Sequence, residues 1–401
     1  MTQKAPVTSL SLGIVFLLAA LSALIATAID MNLPAFPAII ADLKVTDAQM
    51  QYTLSVFLIG IGIGQGFYGP ILDRYGRRMP LIIGTVIFVI GSLIAANTKS
   101  FELLLAARFL QGMGAAAGAV VPRAMIRDTS DLASSARLLA LLMQITIIAP
   151  ITAPILGGIL LNFGDWHIIF WSMALVGIIC IAFSLPYLPE TLQPEKRLPL
   201  NLKNTFRGYA RQCTSPAFML FTLATCLNLG ALFSYIGNAP LVFIKHFGFS
   251  EQAFSIIFAG NAFISVSASL LNVRLLKRYQ PYRILVLGLV GYIVIAAVSM
   301  ALSYADLVNR WSYMGLLALN ISMLGFISSN LVAMTMSKAG EYIGIASALM
   351  GMLQFTLAAG ISFIVGKFPL SIAIIPSAMM VCGLLALVFS VMAQRIGPSN
   401  S

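Results

Sequence analysis

Charge is the scarcest thing in this sequence. Of its 401 residues only 9% are charged and 13 are acidic, against roughly 25% charged residues in a soluble domain. A water-soluble globular chain is therefore excluded. With 59% hydrophobic residues and a mean hydropathy of +0.95, the composition is that of an integral membrane protein. Histidine is nearly missing: His167 and His246 stand alone near predicted helix ends and supply no catalytic cluster. The four cysteines, Cys180, Cys213, Cys226 and Cys382, show neither metal-ligand spacing nor a CxxC pair, so packed or free thiols are expected. With no convergent nucleophile or metal set the sequence does not read as an enzyme. No hydrophilic stretch is long enough for a soluble sensory domain, which argues against a receptor.

What is abundant is apolar runs of about 20 residues, which specify helices rather than a β-barrel. The first run is too long and too poorly charged at its start, with only Lys4, for a cleaved secretory signal, so it reads as a retained span. Twelve spans are expected, at roughly 10–31, 48–71, 79–97, 102–126, 135–161, 167–187, 216–237, 252–274, 283–304, 312–336, 343–366 and 369–393. Between the sixth and seventh lies one long hydrophilic stretch, Leu188 to Ser215, rich in Pro, Lys and Arg. The division is then 1–187 as an N-terminal six-helix bundle, 188–215 as a cytoplasmic linker and 216–401 as a C-terminal six-helix bundle. Placing both termini in the cytoplasm puts 18 of the 24 Lys and Arg residues on that side. The net charge of +11 thus reflects topology rather than nucleic-acid binding. Two halves of near-equal length, each with a short basic turn between its second and third helices (Asp73 to Arg78, Lys277 to Arg283), suggest a six-plus-six duplication of the kind found in secondary transporters.

Two charged side chains stand out within these runs, Asp30 in the outer part of the first and Arg108 well inside the fourth. A charge in hydrocarbon costs on the order of 2.5–3.5 kcal/mol even on permissive scales, so such residues are functional by default. At 1.5 Å per residue, Asp30 stands roughly 30 Å along its helix and Arg108 roughly 9 Å into one entering from outside. Both are then expected in the outer half of the membrane, within reach of a direct or water-bridged ion pair; a purely structural buried pair is the alternative. An arginine favours the ionised carboxylate and desolvation the protonated one, so proton affinity would swing as a cavity opens and closes. Thr27, Ala26 and Ala23 share the face of Asp30, and Gln111, Gly112 and Ala115 that of Arg108.

Four motifs organise the rest. Gly69-Pro70-Ile71-Leu72-Asp73-Arg74-Tyr75-Gly76-Arg77-Arg78 ends the second span, where Gly and Pro permit a tight turn and Asp73 can cap the third helix or accept from the arginines. Arg108-x-x-Gln111-Gly112 lies in span four. Ala149-Pro150-Ile151-Thr152-Ala153-Pro154-Ile155-Leu156-Gly157-Gly158 lies in span five, with two prolines one turn apart that each remove a backbone hydrogen bond, and glycines that admit a close neighbour. Asp30-Met31-Asn32-Leu33-Pro34-Ala35-Phe36-Pro37 closes the first span. The first motif resembles the loop 2–3 signature of the major facilitator superfamily, the second its intramembrane arginine motif, and the third its antiporter motif, apart from Ala149 and Ala153 at positions that are often glycine. The fourth resembles the Asp-Met-x-Leu-Pro-x-x-Pro signature of the bicyclomycin and chloramphenicol resistance (Bcr/CflA) drug exporters. Arg123 to Asp128 and Phe233 through Pro240 look familiar from the same subfamily.

The resemblance implies an all-α membrane protein of twelve transmembrane helices in two six-helix bundles. It implies a proton-coupled exporter of small amphiphilic drugs in the bacterial cytoplasmic membrane, with a native metabolite as the alternative cargo. The expected partners are lipid, drug and proton, with no cofactor, metal, nucleic acid or ATP, and the expected state is a monomer. Asp30 and Arg108 are the expected proton-coupling pair. Gln111, Asn228, Tyr235, Asn261, Asn320, Asn330 and Gln354 are candidate substrate contacts, each better suited, taken singly, to packing or bonding helices together. Gly69, Asp73, Arg74, Gly76, Arg77, Arg78 and Asp128, with Pro150, Pro154, Gly157 and Gly158, are expected to gate or shape the bundle. Gly64-Gln65-Gly66-Phe67-Tyr68-Gly69 fits GxGxxG but follows no strand. Gly360 to Lys367 resembles a Walker A loop with one residue too many and Phe368 where Ser or Thr belongs, so the energy must come from a gradient.

Overall fold

A computed structural model describes residues 10–129, 132–199, 202–340 and 343–396. Lys4, counted above for topology, lies outside them. Among the described residues every regular element is helical, and twelve helices are long and apolar enough to cross a membrane. Their outward faces carry large apolar side chains such as Phe16, Leu175, Phe263 and Leu287, more than half exposed. Their polar side chains turn inward: Ser92, Arg108, Gln111, Asn320 and Asn330 are each 1% exposed or less. This inversion of the soluble pattern is what lipid demands, since hydrocarbon satisfies apolar surface but no hydrogen bond.

The described residues cluster into two compact units, one of 10–32 with 56–205, the other of 33–55 with 206–396. In the first, α1 (Leu12–Asp30) packs on α5 (Phe101–Thr129), α6 (Leu132–Leu160) and α7 (His167–Tyr187), while α4 (Arg78–Asn97) packs on α5 and α7. The later part of α3 (Asp47–Tyr75) completes it. In the second, α9 (Pro216–Pro240), which runs on through a wider turn at Leu241–His246, packs on α12 (Arg310–Met336), α13 (Ile343–Gly366) and α14 (Ile374–Arg395). There α10 (Glu251–Leu275) lies on α12, and α11 (Pro281–Tyr304) lies on α12 and α14. Start signals are local: Ser250 accepts from the Ala253 N–H (3.1 Å), Asn309 and Ser312 form a reciprocal capping box, and Pro216 and Pro281 open α9 and α11.

Residues 33–55 belong with the second unit although an even split of the sequence assigns them to the first half. Gln51 donates to Asn238 Oδ1 (2.8 Å), Asp47 pairs with Lys245 (2.7 Å), and the Tyr52 and Phe363 rings lie 4.8 Å apart. The first span also differs from expectation. Beyond Asp30 the chain makes a single 3-10 turn at Leu33–Ala35 and resumes as α2 (Phe36–Leu43), so the apolar helical path runs from Leu12 to Leu43. Pro34 interrupts the helix, and Pro37, in the first turn of α2, restarts it at no hydrogen-bonding cost. Asp30 therefore sits within a span, not near its exit. The last span starts at Ile374 rather than near 369, after a turn closed by the Ile374 N–H on Ser371 (3.2 Å). One element not anticipated is α8 (Leu202–Cys213), an amphipathic helix in the linker.

Candidate functional site

The C-terminal end of α1 gathers the buried polar side chains Asp30, Asn32, Arg108 and Gln111. A helix end leaves its last carbonyls without intrahelical donors. The Thr27 carbonyl is taken by Met31 N–H (3.1 Å), and the Ala28 carbonyl by Arg108, whose Nη1 donates to it at 2.9 Å. The same Nη1 donates to Gln111 Oε1 (2.9 Å), Gln111 Nε2 donates to Ser92 Oγ (2.8 Å), and the guanidinium carbon lies 4.3 Å from the Phe57 ring centroid. Arg108 is 1% exposed, so its charge is stabilised by a helix end, an amide and a ring face rather than by water. Phe57 comes this close because Gly112 has no side chain: a Cβ there would overlap the Phe57 carbonyl.

Asp30 is 5% exposed, yet among the described residues it makes no ion pair within 4.0 Å and no side-chain hydrogen bond. Of the direct or water-bridged pair expected with Arg108, the direct form is absent. Physically, the arginine is drawn to the carbonyl end of α1, which carries partial negative charge of its own, two residues before the carboxylate. Arg108 Nε and the nearby Asn32 Oδ1 are likewise buried without a partner. Thr27 turns its hydroxyl back to Ala23 (2.9 Å) and leaves the half-buried face beside Asp30 lined by small residues.

The proline-rich motif serves this same point. α6 continues as a helix through half-buried Pro150 and buried Pro154, and it brings buried Gly157 and Gly158 to the end of α1. A Cβ on Gly157 would overlap the Met31 carbonyl, one residue after Asp30. Gly157 therefore sets how closely α6 approaches the carboxylate's turn.

A second cluster joins the ends of α3, α4 and α5. Arg77 donates to Asp128 Oδ2 (2.8 Å) and to Asp73 Oδ1 (3.0 Å). Burial lowers the proton affinity of Arg77, but the hydrogen bonds and charges of Asp128 and Asp73 together raise it above its ordinary value. Asp73 does not cap the following helix. That role belongs to Glu190, beyond α7, which accepts from the backbone N–H groups of Arg77 (2.8 Å), Arg78 (3.2 Å) and Leu192 (2.9 Å). The turn needs Gly76, whose φ of +89° is left-handed and whose missing side chain admits the Glu190 carboxylate. Gly69 and Pro70 lie inside α3 rather than at the turn, and Gly69 has open space where a side chain would stand. Arg78 donates to the Leu185 carbonyl, Thr191 Oγ1 donates to Asp128 (3.2 Å), and Arg74 is exposed. Glu190 escaped the sequence reading because its role depends on a backbone conformation; the available signal was its isolation, with Glu195, as an acid in a basic linker.

In the second unit most candidate substrate contacts are committed to helix–helix hydrogen bonds. Asn228 donates to Ser328 (3.0 Å), Asn320 to the Tyr292 carbonyl (3.1 Å), and Asn330 to Asn272 Oδ1 (2.9 Å) and to the Phe326 carbonyl (2.7 Å). Asn261 donates to the Tyr235 hydroxyl (2.9 Å), and that ring stacks on Phe258 with centroids 5.5 Å apart. Gln111 is likewise spent on Arg108 and Ser92. Gln354 is half-buried and, among the described residues, has no side-chain hydrogen bond. A cavity inside this unit, lined by Ser299, Tyr313, Leu317, Asn320, Pro376 and Met379, has a volume of about 10 Å³. That is room for about one water, not for a drug.

Comparison with known proteins agrees with this architecture. The family description Major Facilitator Superfamily matches residues 16–363. The chain is 34% identical over 361 residues to the uncharacterized MFS-type transporter YdgK of Bacillus subtilis, covering 88% of this chain and 89% of the relative. It is 28% identical to a bicyclomycin resistance protein homolog of Haemophilus influenzae, with 86% of each chain covered. It is 31% identical to the multidrug resistance protein MdtL of Salmonella heidelberg, with 81% of each covered. Among solved structures it shares its fold with the xylose transporter XylE of E. coli (TM-score 0.76, 12% identity, 96% of each chain) and with the nucleoside transporter NupG (TM-score 0.72, 15% identity, 96% of this chain and 98% of the other).

Proposed function

The chain belongs to the Major Facilitator Superfamily, and from that premise we propose that this multi-pass transporter is a proton-coupled antiporter that exports small amphiphilic drugs of chloramphenicol- or bicyclomycin-like character by alternating access. The observation that carries the reading is Asp30: a buried carboxylate with no donor among the described residues, on the same helix end that holds Arg108. A carboxylate locked in an ion pair would exchange its proton reluctantly. One without a fixed donor responds to whatever water or ligand reaches it. Relatives named for bicyclomycin and multidrug resistance support the substrate class.

In this mechanism Asp30 takes a proton from the outside as drug leaves and gives it up inside, which restores the drug-binding state. Arg108 keeps a fixed positive charge beside the carboxylate throughout. One pH unit is worth about 1.4 kcal/mol per proton, about a tenfold concentration ratio for an uncharged drug. The Arg77–Asp73–Asp128 cluster gates rather than binds. Both termini are assigned to the cytoplasm, from the distribution of basic residues, and the location to the cytoplasmic membrane of a bacterium. The functional unit is assigned as a monomer.

Everted membrane vesicles test the coupling. Drug uptake is expected when the interior is acidic and is expected to collapse when an ionophore dissipates the pH gradient. Uptake that is indifferent to the gradient overturns the proposal.

A further inference from the structure

The linker helix α8 carries chemistry that neither transport nor gating uses. Lys203, Arg207 and Arg211 recur every four residues and so form one row along the helix. Lys203 and Arg207 are exposed. A neighbouring stripe is apolar: Tyr209 is buried with Phe218, Ala346, Leu349 and Met350, whereas Phe206 is 46% exposed. Gly208 seats the helix closely, since a Cβ there would stand 2.8 Å from Ile345. These contacts hold α8 against the first turns of α9 and α13, at a membrane face where spans begin. Just before it, Lys196 and Arg197 are exposed, as is Leu198 at 59%.

A helix lying at a membrane surface, with one apolar edge on its own protein, another exposed, and a basic row beside them, has the pattern that binds acidic headgroups. We propose that α8 is a binding surface for anionic phospholipid, with the phosphate of the headgroup held by Lys203 and Arg207 and the glycerol–acyl region beside Phe206. A topology signal needs only a count of basic residues on one side; it does not require them on one helix face next to an exposed aromatic ring. Charge complementarity and the exposed apolar edge together select a lipid over a soluble anion, which has no use for Phe206.

The test uses the full chain in a zwitterionic detergent, with amide exchange of residues 202–213 as readout. Short-chain phosphatidylglycerol is expected to slow exchange there, while phosphatidylcholine of the same chain length and glycerol 3-phosphate leave it unchanged. Each removed charge costs about a factor of five, so the Lys203→Gln/Arg207→Gln double variant should need roughly 25-fold more phosphatidylglycerol. Lys203→Arg/Arg207→Lys should behave as the wild type, which separates loss of charge from loss of folding. Equal protection by phosphatidylcholine, equal protection by glycerol 3-phosphate, or an unchanged response of the Lys203→Gln/Arg207→Gln variant each overturns the proposal.

Discussion

Arg108 donates to the carbonyl of Ala28 at 2.9 Å, two residues before Asp30 on the same helix. Cation and carboxylate are therefore organised by one helix end rather than by each other. The arginine has a structural task, completing the hydrogen bonding of α1; the proposed mechanism adds an electrostatic one, a positive charge on the same helix end as a carboxylate it does not clamp.

Removing that arginine should cost stability as well as transport. Arg108→Ala leaves the Ala28 carbonyl and the Gln111 amide oxygen buried without donors, an expected loss of about 3 kcal/mol. Thermal unfolding of the purified variant should show a clearly lowered midpoint. Arg108→Lys restores charge but not the guanidinium's stacking on Phe57, so it should recover only part of the loss.

Gly157 is expected to be intolerant even of alanine. The added methyl would overlap the backbone carbonyl of Met31, which cannot rotate aside as a side chain could. An overpacking cost of about 1–3 kcal/mol is expected, together with impaired drug export. Wild-type stability and export in Gly157→Ala would show that α6 does not depend on this approach.

Gly76 and Glu190 should be coupled. Gly76→Ala carries both the cost of a left-handed backbone, about 1–2 kcal/mol, and a collision with the Glu190 carboxylate. Glu190→Ala alone should cost about 1 kcal/mol through loss of the cap on α4. In the double variant the collision is gone, so the two losses should sum to more than the measured one, as a double-mutant cycle on unfolding will reveal.

The asparagines of the second unit offer a contrasting case. Asn330→Leu should cost about 1–3 kcal/mol by leaving the buried Asn272 Oδ1 without its Asn330 donor. Replacing both Asn272 and Asn330 by leucine should recover much of that loss. The range of drugs exported should not change with either, because these amides face each other; a shifted drug profile would restore Asn330 as a substrate contact.

The twelve spans were legible because hydrocarbon imposes a length and a composition that few other constraints mimic. Ser11, Ser250 and Asn309 mark helix starts by the same kind of local chemistry. The continuation of the first span past Pro34 was not legible, since proline both ends helices and begins them. In the site, residue types were readable and partners were not. Asp30 and Arg108 announced themselves as intramembrane charges, but choosing between a carboxylate and a backbone carbonyl as the arginine's acceptor needs the crossing of α1 and α5. The asparagines read as ligands or, better, as bonds between helices, and the geometry of Asn228, Asn320 and Asn330 is that of the latter. Glu190 was hidden because its acceptor role exists only once Gly76 adopts its left-handed turn.

The central claim is that Asp30 is the proton carrier, and proton release is its most direct readout. Purified protein in weakly buffered detergent solution, challenged with drug, should release protons. Asp30→Asn should release none while still folding, because no hydrogen bond of the Arg108 network depends on the carboxylate. Undiminished drug-induced proton release from a well-folded Asp30→Asn variant would contradict the account.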